Sequence, residues 1–242
     1  MNTKRSEIIN IIIPVYNEGD NFPNLWQEIT QYVTCPFKVF IVYDFPEDNT
    51  LIPVNKIINQ GESRISLIKN KARGVANAIY TGFEQITDGP VILVMADLSD
   101  DLKLIPKMLD LYNSGYDVVI GSRYMRGGKI IDGPPVKQTL SRLAGISLHL
   151  LRRIPTHDPT NAFKLCDKKM LASLNLQSSN GFALTIEITV KAYLNNFTIT
   201  EIPATWRNRT QGQSKFAMFK WLKEYLHWYF YAFKPVKKAK SL

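Results

Sequence analysis

The sequence predicts an α/β fold: an open, mostly parallel sheet with helices on both faces. Short runs rich in β-branched residues alternate with amphipathic stretches through the first two-thirds of the chain. The runs are apolar throughout, as strands buried on both faces must be. The chain has 242 residues, 45% hydrophobic and 21% charged, with no internal repeat and no Pro/Ser linker. That composition suits one domain, 1–213, with a C-terminal extension, 214–242.

The elements follow in order. Ile8–Val15 reads as the first strand and runs straight into Tyr16-Asn17-Glu18, so no cleaved leader is expected. Lys38–Tyr43, Ile65–Lys69, Val91–Ala96 and Asp117–Ser122 read as the next four strands. Phe22–Val33, Thr50–Gln60, Val75–Ile86 and Leu102–Asn113 fill the gaps as helices. Arg126–Val136 is rich in Gly and Pro and reads as a loop. Lys137–Leu151 and Leu184–Leu194 read as helices, Asn161–Cys166 and Phe197–Ile202 as strands.

Composition removes several function classes. Cys35 and Cys166 lie far apart with no CxxC spacing, which fits a reducing compartment. His149, His157 and His227 make no metal-ligand cluster. Neither GxGxxG nor GxxxxGK[ST] occurs, so the dinucleotide fingerprint and the P-loop are absent.

In open α/β sheets ligands bind beyond the carboxyl ends of the strands. Each predicted end carries polar residues. After the first come Tyr16 and Glu18, an aromatic to stack on a base and a carboxylate to accept its N–H groups. After the second comes Asp44, another acceptor, with Asp48 or Asn49 as a helix cap. After the fourth come Asp97, Asp100 and Asp101, three carboxylates within five residues. Such a cluster can hold a hard divalent cation with help from substrate phosphates. After the fifth comes Arg123, suited to bidentate bonds with a diphosphate.

Taken together, these segments resemble the family-2 glycosyltransferases, in particular the dolichyl-phosphate mannose synthase-like branch. The match runs from about residue 8 to residue 216. It is carried by Pro14-Val15-Tyr16-Asn17-Glu18, Asp44, Asp97-Leu98-Ser99 and Gly121-Ser122-Arg123-Tyr124. Asp158-Pro159-Thr160-Asn161-Ala162-Phe163-Lys164, Glu187 and Arg209-Thr210-Gln211-Gly212-Gln213-Ser214-Lys215 complete it. The resemblance implies a GT-A fold, a nucleotide-sugar donor (GDP-mannose or a UDP-sugar) and inversion at the anomeric carbon. It implies that Pro14, Tyr16 and Glu18 hold the base and that Val42 and Asp44 contact the nucleoside. Ala96 and Asp97 then belong to the metal-diphosphate motif, and Arg123, Arg209 and Lys215 handle phosphates.

Two residues depart from that pattern. The family's metal motif is Asp-x-Asp, and here Met95 stands in the first position. Its paired aspartates after strand two become Tyr43-Asp44. A thioether is a poor ligand for a hard cation. Asp97 and Asp100 are therefore the candidate ligands for Mg2+ or Mn2+, with metal dependence expected to be weakened or dispensable. Asp100 and Glu187 are the candidate bases if the acceptor is a sugar hydroxyl, with pairing to a nearby Lys or Arg on a helix the equal alternative for Glu187. A lipid monophosphate has a second pKa of about 6 and attacks without one.

The net charge is +9, and the 36 residues from Arg207 onward hold nine basic residues against one acid. Phe216–Phe233 holds nine of the 27 aromatics, with Lys220, Lys223, Glu224 and His227 on one helical stripe. Its 18 residues fall short of the roughly 20 needed to span a bilayer. The expectation is an interfacial helix, the alternative a helix whose broad apolar face docks on the catalytic domain or a second subunit. Trp221 and Trp228 sit at headgroup depth, and residues 216–240 meet anionic lipid on the cytoplasmic face of a membrane. That places a polyprenyl phosphate acceptor within reach. The alternatives are a polysaccharide transferase with a hydroxyl acceptor, and a family member that binds nucleotide sugar without turnover. The tail's aromatic density argues against a nucleic-acid partner.

Overall fold

A computed structural model describes residues 8–208 and 218–237. The order of elements is β1 (Ile9–Val15), α1 (Phe22–Tyr32), β2 (Phe37–Tyr43), α2 (Leu51–Asn59), β3 (Ile65–Lys69), α3 (Val75–Glu84) and β4 (Pro90–Leu93). Then come α4 (Ile105–Asn113), β5 (Val118–Ser122), β6 (Lys129–Ile131), α5 (Pro135–Arg152), β7 (Lys164–Asp167) and α6 (Lys168–Ser173). The chain closes with α7 (Gly181–Leu194), β8 (Ile199–Pro203), β9 (Thr205–Arg207) and α8 (Met218–Tyr231).

Seven strands form one sheet in the order β3-β2-β1-β4-β7-β5-β8. The pairs β1–β2, β1–β4, β2–β3 and β5–β8 are parallel. β7 runs antiparallel between β4 and β5. Side-chain alternation along β1 builds a core on each face. Ile9, Ile11, Ile13 and Val15 pack with Leu25 and Ile29 of α1 and Met108 of α4, while Ile12 packs with Ile79 of α3 and Leu184 of α7. The predicted architecture is thus the observed one. Gly82 of α3 crosses so close to the sheet that a Cβ there would lie 2.7 Å from Ile12.

The second half differs from expectation in detail. Three residues of the predicted Arg126–Val136 loop form β6, which pairs in parallel with β9 as a separate two-stranded ladder. Six residues after β7 close into α6, capped by Asp167, which accepts from the Met170 N–H at 2.8 Å.

The predicted C-terminal helix exists as α8, but its polar stripe does not simply face water. Glu224 accepts from the Ser179 N–H at 3.0 Å and from the Asn180 side chain. Trp228, expected at headgroup depth, is 2% exposed and donates its indole N–H to Ser178 Oγ at 2.8 Å. Its apolar body packs with Ala183, Ile186 and Val190 of α7 and Leu148 of α5. Tryptophan has one donor, and a buried Trp needs a partner for it; Ser178 supplies that inside the protein. The Trp221 side chain and residues 209–217 and 238–242 lie outside the described residues. Among the described residues no helix is long and apolar enough to cross a membrane.

Candidate active site

From β1 the chain steps outward to β2 and β3, then returns to add β4 on the other side of β1. That reversal opens a crevice beyond the carboxyl ends of β1 and β4, where such sheets bind ligands.

On the β1–β2 side the two strand-end loops are bonded together. The Asn17 N–H donates to both Asp48 carboxylate oxygens at 3.1 Å, Glu18 N–H to Thr50 Oγ1 at 2.9 Å, and Gly19 N–H to Asn49 Oδ1 at 2.9 Å. A Cβ on Gly19 would lie 2.8 Å from the Asn49 carbonyl oxygen, so only glycine permits this approach. Tyr16 projects into solvent with its ring 5.3 Å from that of Phe45, edge to face. Glu18 accepts from the Asn21 amide at 2.7 Å. Asp44 accepts from Asn70 Nδ2 at 2.6 Å and from the Gly74 N–H at 3.0 Å, which ties the β3–α3 turn to the end of β2. Tyr16, Glu18 and Asp44 therefore share one loop cluster. Pro14 and Val42 belong to it only through their backbones, because both side chains are buried in the sheet.

On the β5 side, Arg123 is held by Asp158, which is 0% exposed. Nε donates to Asp158 Oδ2 at 2.6 Å and Nη2 to Oδ1 at 2.8 Å, with Thr160 Oγ1 at 3.2 Å from Nη2. Burial works against the guanidinium charge, and Asp158 more than offsets it, so the Arg123 pKa lies above the ordinary arginine value. The expected bidentate fork toward a diphosphate is thus already occupied by Asp158. Nη1 is the nitrogen left with hydrogens to offer. Arg123 lines an open cleft of about 410 Å³ with Arg126, Lys129 and Arg142, together with Tyr124 and Gln138. Four cationic side chains around one cleft select an anion.

A model of "Glycosyl transferase family 2" matches residues 10–174. The chain belongs to glycosyltransferase family 2. It is 27% identical over 212 residues to a dolichol-phosphate mannosyltransferase of Pyrococcus furiosus, covering 86% of this chain and 58% of that one. It is 29% identical over 212 residues to a polyprenol monophosphomannose synthase of Mycolicibacterium smegmatis, covering 85% and 79%. The chain therefore spans a little over half the length of the first of these relatives. Among solved structures it is similar to glucosyl-3-phosphoglycerate synthase of Mycobacterium tuberculosis, solved with Mn2+, UDP and glucosyl-3-phosphoglycerate. The TM-score is 0.68 at 13% identity, over 98% of this chain and 84% of that one. That likeness makes the fold GT-A.

In this family-2 chain the strand-four motif does not assemble a cation cage. Met95 presents a thioether where the pattern expects a carboxylate. Asp100, the candidate replacement, turns back on its own loop: it is 8% exposed and accepts from the Met95 N–H at 3.1 Å. Burial, offset in part by that bond, pushes its carboxyl up to about 7. Asp97 accepts from the Ser99 N–H at 3.2 Å, and Ala96 is buried beside it. Among the described residues no three His, Cys, Asp or Glu side chains gather as a metal site. With Asp100 engaged by the Met95 N–H, the expected Asp97–Asp100 pair is not formed, and Asp97 is the carboxylate that would hold a cation together with donor phosphates; no step of the chemistry below is assigned to a metal.

Glu187 takes the second of its two expected roles, a helix residue paired with a lysine. It is 0% exposed on α7 and accepts from the Gln177 and Ser178 N–H groups at 2.7 and 2.8 Å and from Lys191 Nζ at 2.5 Å. Its carboxylate is consumed by structure and is not presented as a base. Arg209 and Lys215 lie outside the described residues. Sequence reasoning gave no role to Arg126, Lys129 and Arg142, although the basic residues around the Gly127-Gly128 turn were a signal. Nor did it assign Asp158, although that residue opens one of the quoted motifs.

Proposed function

We propose that this protein is an inverting glycosyltransferase that moves a hexose from a nucleotide sugar to a polyprenyl phosphate at a membrane surface. The observation that carries the reading is the position of the cationic cleft. Its wall is the first half of α5, and the outward stripe of that helix exposes Val136, Leu140, Leu143, Leu150 and Leu151. On α8, a neighbour of α5, Leu222, Leu226 and Phe230 are exposed as well, as is Phe233 in the turn that follows it. An anion-binding cleft beside an exposed apolar helix face suits a ligand with a phosphate head and a hydrocarbon tail.

The chemistry follows from that acceptor. A phosphate oxygen of the lipid attacks the anomeric carbon from the face opposite the leaving group. The bond from that carbon to the nucleoside diphosphate breaks, and the configuration inverts. A phosphate monoester with a second pKa of about 6 is already ionised at neutral pH and needs no base. A sugar hydroxyl would need one. Glu187 is spent on Lys191 and two backbone N–H groups, and Asp100 is buried against Met95. Arg123, Arg126, Lys129 and Arg142 supply the positive charge that phosphate groups require. On this reading a divalent cation is weakened in importance or dispensable.

The names of the two relatives point to mannose, and the family resemblance makes GDP-mannose the first donor to test, with UDP-glucose and UDP-N-acetylglucosamine beside it. Transfer of label to undecaprenyl phosphate supports the reading. Transfer to a saccharide hydroxyl instead would replace it.

A further inference from the structure

Lys164, the first residue of β7, is 3% exposed, yet among the described residues no carboxylate touches its ammonium. Its three hydrogens go to neutral oxygens: Pro159 O at 3.0 Å, Thr185 O at 2.7 Å and Thr189 Oγ1 at 2.8 Å. α7 reinforces the same loop, since Thr185 Oγ1 donates to Thr160 O at 2.9 Å and Thr189 Oγ1 to Pro159 O at 3.2 Å. The clamped segment, Asp158 to Thr160, is the one that seats Arg123. A buried ammonium without a counter-ion is costly, and packing alone would be served by a neutral side chain.

Charge bookkeeping supplies the reason. Arg123 and Asp158 cancel, and the nearby Lys164 leaves the trio net cationic. We propose that Lys164 is a positioning residue for phosphate binding: it fixes the Asp158–Thr160 loop and restores to the Arg123 cleft the positive charge that Asp158 cancels. This rests on the reading that the cleft takes a phosphate.

The groups facing Lys164 are few. Cys166 and Asp158 favour its charge and Arg123 opposes it. β4 and β5, which flank β7, carry no ionisable side chain within their strands. α7 meets it with Thr185 and Thr189, while Glu187 and Lys191 are paired with each other. Burial brings Lys164 down to about 8 from 10.5, so its charge is present at neutral pH and lost in mild alkali.

The test is calorimetric binding of inorganic pyrophosphate to the full chain, wild type against Lys164→Met, from pH 7 to 9.5. The ligand's own ionisation is common to both proteins and cancels in the ratio of affinities. At pH 7 the wild type should bind about tenfold more tightly, as expected for one partly screened charge. The ratio should fall toward one as pH passes 8. Thermal melts should move the other way. The folded pKa lies below the unfolded one, so the wild type gains stability relative to the variant between about 8 and 10.5. A ratio of one at pH 7, or a ratio that ignores pH, overturns the proposal; a side chain that only fills space would give the first. If Lys164→Met does not fold, Thr189→Val removes one acceptor of the ammonium. The loss of affinity should then begin at lower pH, and an unmoved profile overturns the proposal. Failure of the wild type to make lipid-linked product would leave the ratio untouched, because pyrophosphate carries neither sugar nor lipid.

Discussion

Arg123 seats its guanidinium fork on the Asp158 carboxylate at 2.6 and 2.8 Å, and its own backbone N–H adds a third bond to Oδ2 at 3.0 Å. The pair lies at the boundary between core and cleft, with Asp158 wholly buried and the Arg123 side chain 15% exposed. Arg123 is therefore the counter-ion of a buried acid and, on the proposed reading, a phosphate contact as well.

Arg123→Ala should remove activity and also destabilise the fold. It strands the Asp158 charge, and breaking a buried pair from one side costs about 3–5 kcal/mol. Urea unfolding of Arg123→Ala beside the double variant with Asp158→Asn separates the two effects. The double variant should recover much of the stability and none of the transfer. Equal stability of Arg123→Ala and wild type would mean that the pair is not closed in solution.

Glu187→Gln should behave as a stability variant. It leaves Lys191 buried without its carboxylate and weakens the hold on the 177–178 backbone. A loss of about 2–4 kcal/mol is expected, with kcat per folded molecule within about threefold of wild type. A hundredfold fall in kcat with an unchanged melting curve would instead make Glu187 the base, since general-base catalysis is worth about that much or more.

Gly19→Ala should raise KM for the nucleotide sugar more than it lowers kcat. The new methyl meets the Asn49 carbonyl and forces apart the loops that carry Tyr16, Glu18 and Asp44. Overpacking of this kind costs about 1–3 kcal/mol. Donor titration and a melting curve read the two consequences separately, and an unchanged KM would remove this loop cluster from the donor site.

Leu143→Glu and Phe230→Glu should each weaken binding to anionic liposomes by about tenfold or more, as loss of one buried apolar side chain implies. Both residues are exposed, at 59% and 65%, so the melting temperature should hold within a degree or two of wild type. Full retention on liposomes by the double variant would place any membrane contact elsewhere.

The strands and their order along the chain were legible because β-branched runs of five to seven residues cannot be amphipathic helices. The antiparallel insertion of β7 was not legible, because a buried strand carries no mark of its direction. The β6–β9 ladder was hidden in a Gly/Pro-rich stretch that reads as a turn from either side. The candidate residues at the ends of β1 and β2 were picked out because polar residues at strand ends stand out. Their partners Asn70 and Thr50 were missed because a hydrogen bond across 26 to 32 residues leaves no local pattern. Trp228 shows the same limit. A stripe of aromatics at helical spacing looks alike whether it faces lipid or protein, and only the Ser178 contact separates the two.

The most direct test of the account is transfer of labelled sugar from GDP-mannose to undecaprenyl phosphate by the full chain, with Mg2+, with Mn2+ and with EDTA, and with saccharide acceptors in parallel. The account predicts lipid-linked product of inverted anomeric configuration, with substantial activity retained in EDTA. Label found on a saccharide hydroxyl, or nucleotide binding with no lipid-linked product from any donor, would contradict it.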